Sequence, residues 1–219
     1  MTVFAEFLNT FFAGFDASLL AFGAFLHEAA GAVLDPIFFF LTMLGDHGLF
    51  FMLLALVLAI IPKTRKIGLT MAGAIFIGAL ITNIGLKNIV ARPRPYVTSE
   101  QFRVYWEAVG HGPESDPSFP SGHATAAFAS MTALFLTVKK KYSWPGLVLA
   151  LLVSFSRIYI AVHYPSDVLV GMIIGIGAGV AAYYLVKLFY SKIAPKLIEK
   201  LGLKKKKSPE PQDTSNISQ

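Results

Sequence analysis

Ser156-Arg157-Ile158-Tyr159-Ile160-Ala161-Val162-His163-Tyr164-Pro165-Ser166-Asp167 joins two apolar runs, 144–162 and 167–190, each long enough to cross a bilayer as helix. A cation, an imidazole and a carboxylate therefore stand at the junction of two spans. Ionisable groups are costly there, so they mark a functional site by default. Pro165 keeps Tyr164 extended and opens the next helix, which puts Asp167 in its first turn. From there a carboxylate accepts from one imidazole nitrogen and leaves the other free to act as a nucleophile or base.

Two further polar groups lie upstream. Pro120-Ser121-Gly122-His123 opens the apolar run 120–138; Lys87 lies at the end of the run 67–90, and Arg94-Pro95 follows it. Lys87, Arg94 and Arg157 suit phosphate oxygens, arginine as a planar fork and lysine as a point charge. Ser121 offers a hydroxyl, and the small Ser121-Gly122 pair lets helix N–H groups approach an anion. A single such cation is ordinarily a snorkelling residue at a span end. Three that converge with two histidines are poorly explained that way. A plain helix cap accounts for Pro120 and Ser121 but gives no reason for His123. Arg92, in the same Arg-Pro-Arg-Pro run, reads as support or a headgroup contact.

Composition agrees with a membrane protein. Of 219 residues, 55% are hydrophobic and 15% charged, and the mean hydropathy is +0.61. Soluble domains carry about a quarter charged residues. Apolar runs over 5–27, 34–61, 67–90, 120–138, 144–162 and 167–190 predict an all-α, polytopic membrane helix bundle of about six transmembrane helices. Run 5–27 holds Glu6, Asn9 and Asp16; lying along the interface is its alternative, which leaves five. Run 34–61 is interrupted by Gly45-Asp46-His47-Gly48 and reads as a broken or bent helix. With no cysteine, disulfides, thiol nucleophiles and thiolate metal sites are excluded.

The basic turns set an orientation. Lys63-Thr64-Arg65-Lys66, Lys139-Lys140-Lys141 and the segment after the last run fall on one face, made cytoplasmic by the positive-inside rule. The three polar clusters then lie on the extracytoplasmic face. Lys141 to Arg157 is about 24 Å of helix, against roughly 30 Å of hydrocarbon, so the site sits near the outer interface. One transmembrane domain over 1–201 is expected, followed by a basic, disordered cytoplasmic tail over 202–219. Lys204 to Lys207 in that tail would meet anionic lipid headgroups. No basic surface with interleaved aromatics accompanies them, so no nucleic-acid partner is expected. The N-terminus shows neither a positive n-region nor a small-residue cleavage site, so no removable signal peptide is expected.

Taken together, Lys87, six residues, Arg94-Pro95; Pro120-Ser121-Gly122-His123; and Ser156-Arg157, five residues, His163, three residues, Asp167 resemble the three-part signature of the type 2 phosphatidic acid phosphatase (PAP2) superfamily. No catalytic position departs from it. The resemblance implies a membrane phosphatase acting on a lipid phosphate or diphosphate, with His163 as nucleophile forming a phosphohistidine, Asp167 orienting it and His123 protonating the leaving oxygen. It assigns Lys87, Arg94, Ser121, Gly122 and Arg157 to phosphate binding. Undecaprenyl diphosphate is the favoured substrate, with phosphatidylglycerol phosphate or phosphatidic acid next. Covalent catalysis by histidine needs no metal, and no cofactor is expected. The alternatives are a lipid phosphotransferase using the same residues, or a catalytically silent lipid-phosphate binder, against which the intact His123, His163 and Asp167 argue.

Other residues receive plainer readings. Glu114 and Asp116 lie in the 96–119 loop without ligand spacing. With Tyr96, Phe102, Tyr105 and Trp106, that loop reads as an interfacial lid or headgroup contact. His27, His47 and His111 read as isolated interfacial residues. Gly171, Gly175 and Gly179 recur every four residues on the last run and suit close helix packing.

Overall fold

The computed structural model describes residues 2–196. Lys204 to Lys207 and the proposed tail lie outside them. The described residues form helices α1 (Val3–Phe11), α2 (Ala13–Gly45), α3 (Leu49–Ile60), α4 (Arg65–Ala79), α5 (Lys87–Val90), α6 (Pro95–Thr98), α7 (Glu100–Val109), α8 (Gly122–Thr137), α9 (Lys140–Tyr159) and α10 (Pro165–Leu188). No strand occurs among them, as the apolar periodicity predicts. Among the described residues one compact unit runs to Val186; the described part of the second, from Lys187, takes in the end of α10 and a π-helical turn over Phe189–Ile193. Three helical stretches, Ala13–Ile60, Arg65–Thr98 and Pro165–Lys196, are long and apolar enough to cross a membrane.

α8 is the centre of the bundle. Ala124, Thr125, Ala127, Ala129, Ser130 and Ala133 are all buried on it, so it presents small residues on nearly every side. α4 and α9 pack against it. The glycines of α10 close in as their spacing predicts. A Cβ on Gly171 would lie 2.6 Å from the Ser121 carbonyl, and one on Gly175 2.6 Å from that of Thr125. Backbone meets backbone there, and the buried Thr125 hydroxyl donates to the Gly171 carbonyl at 3.2 Å.

Connectivity carries the polar clusters to one end. α8 leaves that end at Gly122 and α9 returns to it at Tyr159, so Lys139–Lys141 turn at the other end. Lys63–Lys66 likewise turn between α3, which descends from the site at Gly48, and α4, which climbs back toward Lys87. The Gly45–Gly48 break is present: His47 (φ 48°) and Gly48 (φ 67°) adopt left-handed backbone, which glycine tolerates without a Cβ penalty.

The N-terminal stretch behaves unlike the others. Ala13–Ile60, at 48 residues, would be about 72 Å of continuous helix, more than twice the hydrocarbon thickness. It bends at Ala30 (φ −151°, ψ 25°). Thr2 donates to the Val90 carbonyl at 2.5 Å, Asn9 accepts from Arg92, Asp16 from Ser166, and Gly23 lies beside Tyr159. All of these contacts are at the end that bears the polar clusters. Beyond the bend, Asp35 pairs with His27 at 3.0 Å and accepts from the Tyr159 hydroxyl at 2.5 Å. His27 is therefore not the isolated interfacial residue expected; it staples the two limbs of α2. His47 is also paired, 2.8 Å from Asp46.

Candidate active site

Lys87, Arg94, Gly122, His123, Arg157 and His163 line one cavity of about 310 Å³. Each reaches it from a helix end. A π-type turn over Leu80–Leu86 precedes Lys87, and such turns recur at functional sites. Ala91 (φ 47°) then reverses the chain toward Arg94, which precedes Pro95 at the first position of α6. Ser121 is the N-cap of α8; its hydroxyl accepts from the Ala124 N–H at 3.4 Å, leaving Gly122 and His123 in the first turn. Gly45 lies so near His123 that a Cβ there would stand 2.5 Å from the ring.

His163 lies in the short turn between α9 and α10, where Ala161 (φ 55°) is held in left-handed backbone at an energetic cost. Its N–H donates to the Arg157 carbonyl at 3.2 Å. Arg94 Nη1 is 3.4 Å from Nε2 of the ring and donates to the Val162 carbonyl at 2.7 Å. On the other edge, Nδ1 is 3.4 Å from the Ser118 hydroxyl and 3.6 Å from Asp167 Oδ2. Burial, then Arg94, Arg157 and Lys87, push the imidazole well below its ordinary pKa. The ring is therefore neutral at pH 7, with a lone pair available.

Asp167 is wholly buried and fully bonded. Its Oδ2 accepts from Ser118 Oγ at 2.5 Å and from the Tyr164 N–H at 3.0 Å, and its Oδ1 from Arg92 Nη1 at 2.6 Å. Arg92 is therefore no headgroup contact. It is 1% exposed, and its guanidinium also donates to Asp16 Oδ2 at 2.8 Å, Ser166 Oγ at 2.8 Å and Asn9 Oδ1 at 2.7 Å. A cation that deep requires such partners.

The three cavity cations are occupied by acidic side chains of the 96–119 loop. Asp116 accepts from Lys87 and, at 2.6 Å, from Arg94 Nη2. Glu114 accepts from Arg157 Nη2, while Arg157 Nη1 donates to Thr42 Oγ1 at 2.6 Å. Burial favours protonated Asp116, but Lys87 and then Arg94 prevail and hold its carboxyl at about 2. Glu114 is lowered likewise: burial opposes ionisation and Arg157 overrides it. The lid reading of this loop thus gains a chemical content absent from its spacing. His111 lies beside Glu114 in the adjoining cavity, where burial and Arg157 lower its pKa.

Sequence reasoning missed Asp16 and Ser118. Asp16 stands in an apolar run, where a lone carboxylate signals only that the run is an imperfect span. Ser118 has no motif around it.

Residues 66–191 match the PAP2 superfamily. The undecaprenyl-diphosphatase BcrC of Bacillus subtilis is 33% identical over 148 residues, 68% of this chain and 72% of that protein. Matches of this kind span 66–74% of the relatives' own length. Among solved structures, Aquifex aeolicus LpxE superposes with a TM-score of 0.61 at 30% identity, covering 74% of this chain and 93% of LpxE. A transmembrane PAP2-type phosphatidylglycerolphosphate phosphatase from Bacillus subtilis gives 0.54 at 25% identity, covering 88% and 98%. The chain therefore belongs to the PAP2 superfamily. Within it, this is an all-α, membrane-embedded lipid phosphatase.

Proposed function

We propose that the protein removes a phosphate from a polyprenyl diphosphate, with undecaprenyl diphosphate the favoured substrate, through a phosphohistidine at the extracytoplasmic interface. The observation that carries this is the convergence of Lys87, Arg94 and Arg157 on His163 and His123 in one cavity. Substrate phosphate oxygens replace the carboxylates of Asp116 and Glu114 on these cations, and the positive end of α8 at Gly122 adds to the field. Ser121, which caps that helix, steadies the same end. Neutral His163 attacks phosphorus through Nε2, the nitrogen on the cationic side of the ring. Asp167, with Ser118, steadies the charge that then develops on the imidazole. His123 protonates the departing oxygen and then accepts a proton from the water that attacks phosphorus, which breaks the P–N bond, releases phosphate and returns His163 neutral.

The choice of lipid is supported by the relatives named as undecaprenyl-diphosphatases. The extracytoplasmic side is supported by the basic turns at the end opposite the site. The same geometry supports five crossings, with residues 2–27 lying across the outer end rather than spanning.

The test is phosphate release by the purified full chain in detergent with EDTA, from undecaprenyl diphosphate, phosphatidylglycerol phosphate and phosphatidic acid. The reading expects undecaprenyl diphosphate to be the best of the three, with no release by His163→Ala. Equal or better turnover of a glycerolipid phosphate would overturn the substrate, and an active His163→Ala the mechanism.

A further inference from the structure

Asp16 lies outside the stretch that matches the superfamily, yet it is 4% exposed and makes three buried hydrogen bonds near the site. It accepts from the Ser166 N–H at 2.8 Å, from the Ser166 hydroxyl at 2.8 Å and from Arg92 Nη2 at 2.8 Å. The first of these satisfies a donor that the opening turn of α10 otherwise leaves orphaned. Arg92 is the shared element. Its Nη1 donates to Asp167 Oδ1 at 2.6 Å and to Ser166 Oγ at 2.8 Å, and its Cζ lies 3.8 Å from the Tyr164 ring centroid. One buried guanidinium thus serves two buried carboxylates.

We infer that Asp16 is a positioning residue for the reaction: through Arg92 and Ser166 it fixes the Asp167 carboxylate, and so the Nδ1 edge of His163. This rests on the phosphohistidine reading above. Asp16, Arg92 and Asp167 together carry one net negative charge, and Asp16 holds the guanidinium away from a two-point grip on Asp167. Without the Asp16 charge, Arg92 has a single anionic partner and turns its second nitrogen toward it. Asp167 would then present less negative charge to Ser118 and His163. A stretch that reads from sequence as a span would in this way act as a brace laid across the end of the bundle.

The sign of the pH effect follows from all the groups around His163. Arg94 faces it from the start of α6, Lys87 from α5, Asp116 and Ser118 from the loop, His123 from α8, Arg157 from α9 and Asp167 from α10. Replacing Asp16 by asparagine leaves each of these in place and removes one negative charge behind Asp167. His163 then gives up its proton more readily, so the acid limb of kcat/KM moves to lower pH.

The experiment compares Asp16→Asn, Asp16→Glu and wild type in phosphate release from undecaprenyl diphosphate and phosphatidic acid in detergent, with thermal unfolding as the folding control. Expected for Asp16→Asn is a kcat lower by about 10- to 100-fold, with KM little changed, as is usual when a supporting group behind a reacting residue is lost. The acid limb should shift down, and Asp16→Glu should recover part of kcat. A folded Asp16→Asn with wild-type kcat and pH profile, or a loss confined to KM, overturns the inference. Should Asp16→Asn not fold, Ser166→Ala decides: it cuts only the hydroxyl link, so a fall in kcat supports the brace and an unchanged kcat overturns it. A wild type inactive on every lipid would defeat the proposed function instead. The brace would then be read by NMR titration of His163, whose midpoint should fall in Asp16→Asn; an unmoved midpoint overturns it.

Discussion

His163 Nδ1 and Asp167 Oδ2 stand 3.6 Å apart, beyond a hydrogen bond, and the Ser118 hydroxyl sits beside both. It donates to Asp167 at 2.5 Å and faces Nδ1 of the ring at 3.4 Å. The hydroxyl rather than the carboxylate is thus the nearest side-chain partner of Nδ1, and Asp167 acts on the ring partly through it.

Ser118→Ala should therefore lower kcat by about tenfold while leaving KM within a few-fold, since Lys87, Arg94 and Arg157 are untouched. Steady-state kinetics on any accepted lipid phosphate checks this. A rise in KM alone would place Ser118 in substrate binding instead.

The carboxylates of Asp116 and Glu114 compete with any phosphate for Lys87, Arg94 and Arg157. Asp116→Asn and Glu114→Gln should each strengthen inhibition by inorganic phosphate, by about two- to fivefold for a half-exposed pair. Inhibition constants at fixed ionic strength measure it, because added salt screens the same contacts.

The Asp116 carboxyl, at about 2, lies below its ordinary value of 3.8. A depressed carboxylate adds stability above its unfolded pKa, and that stability is lost as pH falls through the folded value. The thermal midpoint should accordingly decline between about pH 4 and pH 2, and Asp116→Asn should flatten that decline. Melting curves in detergent across this range test the slope.

Gly171 and Gly177 make a controlled pair on α10. A Cβ at Gly171 would meet the Ser121 carbonyl at 2.6 Å, whereas nothing lies within 4 Å of one at Gly177. Gly171→Ala should cost about 1–3 kcal/mol by overpacking against the start of α8, and activity should fall with it. Gly177→Ala should leave both unchanged, as thermal unfolding and turnover will show.

Most of the residues that line the cavity were legible because they are local. Lys87 to Arg94, Pro120 to His123 and Ser156 to Asp167 are each a short stretch at helix ends and the turns between them, where spacing constrains geometry. The glycine spacing on α10 was legible for the same reason, since every fourth residue shares a helix face. What escaped depends on long-range pairing. Asp16 meets Ser166 across 150 residues of chain, and Arg92 meets both. No periodicity encodes such a contact. Run 5–27 is apolar enough to resemble a span, which made its one buried carboxylate look like a defect. Glu114 and Asp116 escaped because their pairing with Lys87, Arg94 and Arg157 is visible only once the loop folds back over these cations.

The central claim is a covalent phosphoryl group on His163. Wild-type protein turning over lipid with radiolabelled phosphate, quenched rapidly in base, should carry the label on the peptide that contains His163. The label should be stable to alkali, lost in acid as a P–N bond requires, and absent from His163→Ala. Steady phosphate release with no trapped label on that peptide, or undiminished release by His163→Ala, would contradict the account.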